Sequence, residues 1–259
     1  YIVIKKNHNW KLLIMYQTII EKDKLISLDE NSHKYSLLNS NIEFRSVTEF
    51  IGEFFEKFDE IKVAKKLTNY GKFKGLTTSE ILKDWEKRRN DGTVIHYEIE
   101  KYINNFNSRN FTDNEKRVDE LNLKSKQAIK FLNDCDIFKN NLIFPEVKIF
   151  SETLKLAGTI DLLIYNKPKN IISLVDWKTN EKIKKISYRN GTKEPTLDIG
   201  DCSYNKYELQ LTMYRYILEK YYDAKINGLY ILHLKEDNYN YLNCDYKFEI
   251  ISKMINHDK

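Results

Sequence analysis

Three acids and a lysine interrupt apolar, strand-like sequence between Leu142 and Lys178: Glu146, Asp161, Asp176 and Lys178. A carboxylate set among apolar residues is costly unless a cation or a metal accompanies it. In S-L-V-D-W-K-T, Asp176 and Lys178 are two apart, so on a strand they project to the same face. In T-I-D-L-L-I-Y, Asp161 should point opposite to Ile160 and Leu162. Pairing of the two segments as a hairpin through 166–170 would bring Asp161 and Asp176 together at one end of a sheet. Two carboxylates suit a hard divalent cation, which takes oxygen ligands and keeps waters. Such a cation polarises a phosphodiester and acidifies a bound water. The lysine then stabilises negative charge or helps to position and deprotonate that water. His96 offers a further ligand, and Glu146 either reaches the metal or holds Lys178. A lone D-x-K is equally well a surface ion pair. The ordered set of acid, acid and acid-x-lysine on successive strands carries the reading.

The elements that must position these residues are legible in the hydrophobic period. Strands are expected at 142–150, 158–165 and 171–177, with a turn at 166–170. A helix at 204–221, a strand at 228–234 with a hairpin partner in Y-N-Y-L-N-C-D-Y-K-F, and a short terminal helix follow. Upstream, residues 24–45 read as a β-hairpin. Ser46 or Thr48 then caps a helix on which Phe50, Ile51, Phe54, Phe55 and Phe58 recur at helical spacing. A second helical pattern covers 60–69. Two more are expected over 78–105, broken at Gly92, the first opening on a capping box of Thr77 and Glu80. On the second, His96, Ile99, Glu100 and Ile103 share one face. An amphipathic helix is expected at 114–134, with Val118, Leu121, Ala128, Ile129 and Leu132 on its apolar side. This order predicts an α+β (mixed α/β) fold, with helices over or beside a mixed sheet. One domain is expected over 24–259, a hairpin and helical part at 24–135 and a sheet core at 136–259, after an N-terminal extension at 1–23.

Composition narrows the class only a little. Of 259 residues, 31% are charged and the net charge is +5, which suits a polyanionic partner without demanding one. Cys135, Cys202 and Cys244 are scattered and lack C-x-x-C spacing. That excludes an evident zinc ribbon or disulfide framework and points to an intracellular, reducing compartment. No apolar run has the length of a membrane span, so no membrane partner is expected. Residues 1–14 match nothing downstream. Met15 is a candidate start, which leaves an organelle-targeting segment open.

The spacing resembles the PD-(D/E)XK nuclease superfamily, in its RecB-like exonuclease branch. The matching segments are Gly92-Thr93-Val94-Ile95-His96 (G-T-x-x-H), Glu146, Gly158-Thr159-Ile160-Asp161 (G-x-x-D), Asp176-Trp177-Lys178-Thr179 (D-x-K) and Gln210 to Tyr214 (Q-x-x-x-Y). They occur in the family's order. The resemblance is strong over 80–234 and weaker upstream through S-V-T-E-F at 46–50, which is similar to the mitochondrial genome maintenance exonucleases and related viral and phage proteins. It implies a restriction-endonuclease-like sheet core flanked by helices. It also implies that Asp161, Asp176 and His96 bind Mg²⁺ or Mn²⁺ and that Lys178 is the catalytic lysine. Gln210 and Tyr214 would support the site and the DNA backbone from the following helix, with Glu146, Glu100 and Thr179 as further supporting positions.

Two departures bear on the branch. Relatives that hold an iron–sulfur cluster use four cysteines, and this chain has three, so no such cluster is expected. There is no G-x-x-x-x-G-K-[ST] loop, so no ATP site is expected. The implied activity is a metal-dependent DNA exonuclease acting on free ends of single-stranded DNA in replication, repair or recombination. A structure- or sequence-specific endonuclease on the same fold and a non-catalytic nucleic-acid-binding protein stay open as alternatives. The basic segment after the third strand, with Lys182, Lys184, Lys185, Arg189 and Lys193 and with Tyr188 and Tyr204 nearby, fits a groove that tracks a nucleic-acid backbone.

Overall fold

The structure, a computed structural model, describes residues 17–29, 32, 34–108 and 118–258. The N-terminal segment 1–14 and the candidate start at Met15 lie outside these residues, as does the expected helical part at 114–117. Helix α1 (17–23) leads into β1 (Ile26–Asp29), β2 (Lys34–Leu37) and β3 (Glu43–Ser46). The expected hairpin is therefore a three-stranded antiparallel meander, with Ile26 opposite Leu37 and Tyr35 opposite Phe44. The short E-F-R-S segment carries only one buried residue, Phe44, too little alternation to read as a strand.

Ser46 caps α2 (Val47–Gly52) by accepting from the Glu49 amide. This helix stops sooner than its aromatic spacing predicts. Phe54 and Phe55 remain buried in the turn that follows, but Phe58 is 62% exposed, with its ring 5.9 Å from that of Trp85. Asp59 caps α3 (Glu60–Leu67). The capping box forms: the Thr77 amide donates to Glu80 and the Glu80 amide donates back to Thr77 Oγ1. It opens α4 (Thr78–Ser108), a single helix of 31 residues that runs unbroken through Gly92. A helical glycine costs about 1 kcal/mol relative to alanine. Here a Cβ would sit 3.2 Å from Thr179 Oγ1, so the glycine lets the helix pass close over the end of a strand.

The next helix, α5, spans Leu123–Asp134 and is capped by Asn122. It is preceded by a 3₁₀ turn at Val118–Glu120, so the expected helix starts later than its pattern. Buried Glu98 of α4 ties the two helices by accepting from the Asn122 amide and the Ser125 hydroxyl. A short α6 (Ile137–Asn140) precedes β4 (Asn141–Ser151), β5 (Leu156–Asn166) and β6 (Ile171–Lys178). Helix α7 (Ser203–Tyr221), β7 (Ile226–Leu234), β8 (Tyr239–Cys244) and α8 (Phe248–His257) complete the described chain. No described helix is long and apolar enough to cross a membrane.

The described strands form one eight-stranded mixed sheet flanked by helices, in the order β1-β2-β3-β5-β6-β7-β8, with β4 also paired to β5. This is an α+β arrangement. On one face Phe50, Leu163, Leu174, Ile217 and Ile251 bring α2, α7 and α8 onto the sheet. On the other, Ile99 and Ile103 of α4 and Phe131 of α5 pack on Leu162, Val175 and Leu232.

Strand β5 has three partners and only two edges. Strand β4 runs antiparallel along its whole length, so β3 and β6 must share the other edge. There β3 pairs with Leu156 and Ala157, and β6 pairs from Leu162 onward. Residues 158–161 lie in the fork between them. The β5–β6 hairpin closes at Asn170, which adopts a left-handed φ of 55° that asparagine tolerates.

Candidate functional site

The strict alternation expected around Asp161 fails at that residue. Ile160 faces the α2/α7 side, whereas Leu162, two residues on, faces α4 and α5. Strand β4 does the same across the gap: Ile143 faces α4 and α5, Val147 and Ile149 face α7. The switch occurs at Glu146, which has a φ of 50° and follows Pro145. Pro145 is paired with Leu162 and Val147 with Ile160, which places Glu146 opposite Asp161 without a slip of register. Both strands therefore exchange faces at one point, and the two carboxylates leave the pleat together. A non-glycine residue with positive φ is strained and persists only where its surroundings enforce it.

His96 comes down onto this point from α4. Its Nδ1 lies 3.3 Å from Glu146 Oε1 and 3.8 Å from Asp161 Oδ1. Donor atoms of His96, Glu146 and Asp161 all fall within 4.8 Å of one another. Burial pulls the imidazole pKa down, but the Asp161 and Glu146 carboxylates outweigh it and raise His96 to about 9. Burial pushes Asp161 upward, and the neighbouring Glu146 adds to the shift. The other Asp161 oxygen, Oδ2, accepts from the Trp177 amide at 2.7 Å.

Asp176 stands beside this triad and is engaged differently. Lys178 Nζ is 2.7 Å from Asp176 Oδ2, a close ion pair between two largely buried groups. Oδ1 accepts from Gln210 Nε2 at 3.4 Å, and the same nitrogen donates to Tyr214 OH at 3.0 Å. Burial raises Asp176 to about 6 against the opposing pull of Lys178. Burial alone would lower Lys178, yet Asp176 and Asp161 hold its ammonium above its usual range. The expected pairing of Asp176 and Lys178 on one face is thus present.

Two glycines explain how the helices approach so near. A Cβ on Gly158 would lie 2.4 Å from Tyr214 Cε1, so only glycine admits the Tyr214 ring against β5. Gly92 plays the corresponding part under α4. Thr179 contributes position more than chemistry: its carbonyl accepts from Lys124 Nζ at 2.5 Å and its hydroxyl faces Gly92. Glu100, one turn beyond His96, lines the same cleft of about 580 Å³ with His96 and Glu146 but does not belong to the three-donor group.

Two residues of the site escape a reading of the sequence. Tyr35 of β2 lines the cleft, and its hydroxyl is 2.9 Å from Thr159 Oγ1. It lies 124 residues from its partner, and nothing local announces it. The Tyr207 ring lies 4.4 Å from Lys178 Nζ. Here a signal existed, since Tyr207, Gln210 and Tyr214 fall at i, i+3 and i+7 on α7. The chain matches no known protein-family profile, and no curated protein matches it.

Proposed function

We propose that the protein is a metal-dependent deoxyribonuclease of the PD-(D/E)XK kind, an exonuclease that works on free ends of single-stranded DNA. The observation that carries this reading is the convergence of His96, Glu146 and Asp161 within 4.8 Å, beside the Asp176–Lys178 pair. The donor set fits Mg²⁺ or Mn²⁺: carboxylate oxygens suit hard cations, and one imidazole is well within the range of manganese. Asp176, whose Oδ2 meets the Lys178 ammonium at 2.7 Å, adds a further buried carboxylate beside this group. When bound, such a cation supplies positive charge to a phosphodiester and lowers the pKa of a coordinated water.

The remaining work falls to the chain itself. Trp177 fixes the orientation of Asp161 through its amide. Gln210, held by Tyr214, does the same for Asp176. Lys178 is kept charged by its carboxylate neighbours, so at neutral pH it acts as a hydrogen-bond donor and counter-charge to a phosphate oxygen and not as the base. End preference and single-strand preference rest on the sequence resemblance.

The deciding assay uses linear single- and double-stranded DNA labelled at either end, and circular single strands, with Mg²⁺, Mn²⁺ or EDTA. Metal-dependent release of nucleotides from linear single strands, abolished in Lys178→Ala, is expected. Cleavage of circles as fast as linear strands would make the enzyme an endonuclease. Activity that survives EDTA would remove the metal from the mechanism.

A further inference from the structure

A broad groove of about 1550 Å³ lies between α3 and the segment joining β6 to α7. Its acids are already engaged. Glu56 pairs with Arg189, Asp201 with Lys206 at 2.6 Å and Glu60 with Arg89 at 2.8 Å, while Asp59 caps α3. Lys57, Lys62, Lys66, Lys182 and Lys184 line the groove and make no ion pair among the described residues. Five uncompensated ammonium groups along one concave wall repel one another and cost stability unless a polyanion is there to meet them. Two aromatic residues share this wall. Tyr188 is fully exposed and Phe58 is 62% exposed, an unusual use of large rings on a free surface.

The groove also leads somewhere. Lys182 belongs both to it and to a neighbouring cleft lined by Thr179, Asn180, Gly92 and Lys124. That cleft begins one residue beyond Lys178. The segment from 182 to 189 thus forms a continuous margin from the catalytic strand end to α3.

We propose that this groove is the path of a single-stranded polynucleotide, with the five lysines on successive phosphates and Tyr188 and Phe58 as stacking platforms. A duplex keeps its bases stacked inward and gains nothing from exposed rings, whereas an unpaired strand offers a π-face at each base. The identity of the polyanion rests on the nuclease reading above; the groove and its charge do not.

The test is binding of 5′-fluorescein-dT20, with a 20-bp duplex and heparin as comparison probes, followed by anisotropy in EDTA across a salt series. Lys62→Gln/Lys66→Gln/Lys184→Gln is expected to bind dT20 at least about tenfold more weakly, with the salt slope reduced by about 2, at ~0.7 per phosphate contact on single strands. Tyr188→Ala should weaken dT20 by at least about fivefold, as loss of ~1 kcal/mol of stacking implies, and leave the duplex unchanged. These side chains are outside the core, and a circular-dichroism melt confirms that the variants fold. Wild-type-like dT20 binding by either variant overturns the proposal. So does an equal Tyr188 effect on duplex, or heparin binding that the lysine variant leaves intact. Wild-type Mn²⁺ binding and DNA cleavage are measured alongside. Groove-dependent dT20 binding with neither Mn²⁺ uptake nor cleavage would refute the nuclease and keep the groove; cleavage by groove variants at the wild-type rate with unchanged binding would do the reverse.

Discussion

The backbone amide of Trp177 donates to Asp161 Oδ2 at 2.7 Å across the fork, where the β3/β6 edge of β5 is unpaired. A side chain thereby takes the place of the ladder, and β6 orients the carboxylate that β5 presents. One oxygen of Asp161 is committed to structure and the other faces His96.

Removing that second oxygen's charge should disable cation binding without unfolding the sheet. Changing an outer-shell partner typically costs 10–100-fold in metal affinity, and a donor of the central group should cost at least the upper end of this. Asp161→Asn is expected to weaken Mn²⁺ binding by about a hundredfold or more in isothermal titration, and Glu100→Gln by little. Equal losses from the two variants would place the ion elsewhere in the cleft.

Cation affinity should depend on pH through His96. In the metal-free protein its pKa is raised to about 9, so at neutrality the imidazole is protonated and must lose that proton to act as a ligand. Apparent Mn²⁺ affinity therefore rises with pH up to about 9 and falls roughly tenfold per unit below it. The raised value also means that the ion contacts of His96 stabilise the metal-free fold fully below about pH 6.5 and cease to do so as pH passes 9. Titration at pH 7 in buffers of different ionisation enthalpy should find about one proton released per ion. No proton release, with affinity flat from pH 7 to 9, would exclude His96 as a ligand.

Lys178 has a structural duty that a cleavage assay alone would miss. Deleting it leaves Asp176 buried without its counter-charge, and breaking a buried pair from one side costs about 3–5 kcal/mol. Lys178→Met should accordingly lower the denaturation midpoint strongly at pH 8. Asp176 already titrates near 6 with the lysine present and higher without it, so the loss should shrink as the pH is lowered and the carboxyl protonates. Lys178→Met/Asp176→Asn should recover most of the stability. Failure of the double variant to do so would show that the lysine's hydrocarbon packing, including its contact with Tyr207, matters more than its charge.

The glycines make opposite predictions. Gly158→Ala drives a methyl into the Tyr214 ring and should cost about 1–3 kcal/mol, the usual penalty of overpacking. Gly92→Ala gains up to about 1 kcal/mol of helix propensity and meets only a threonine hydroxyl that can turn aside. Thermal melts should show the first variant destabilised and the second, in a Thr179→Ala background, stabilised.

Much of this fold is legible in the sequence because its core strands announce themselves. Apolar β5 and β6 and the N-K-P-K-N turn define the hairpin to within two residues. Asp161, Asp176, Lys178 and His96 stand out because each is a polar group at an apolar position. What stayed hidden was set by tertiary contact. Gly92 looks like a helix break because its reason for being glycine, Thr179, lies 87 residues ahead. The face exchange at Glu146 and Asp161 cannot be seen in either strand alone, since each continues in extended, apolar sequence. Sequence alone leaves Glu146 either on the metal or in support of Lys178, and the geometry puts it in the three-donor group, in which Asp176 was expected.

The continuity of α4 has a consequence for how the two regions communicate. A helix of 31 residues is a rod about 46 Å long. Its first half carries Arg88 and Arg89 along the cleft that opens into the lysine groove, and its second half carries His96. A hinge at Gly92 would have let one half shift without the other; a stiff rod does not. A ligand in the cleft that shifts this rod must carry His96 with it, and any change in affinity that results is the same in both directions.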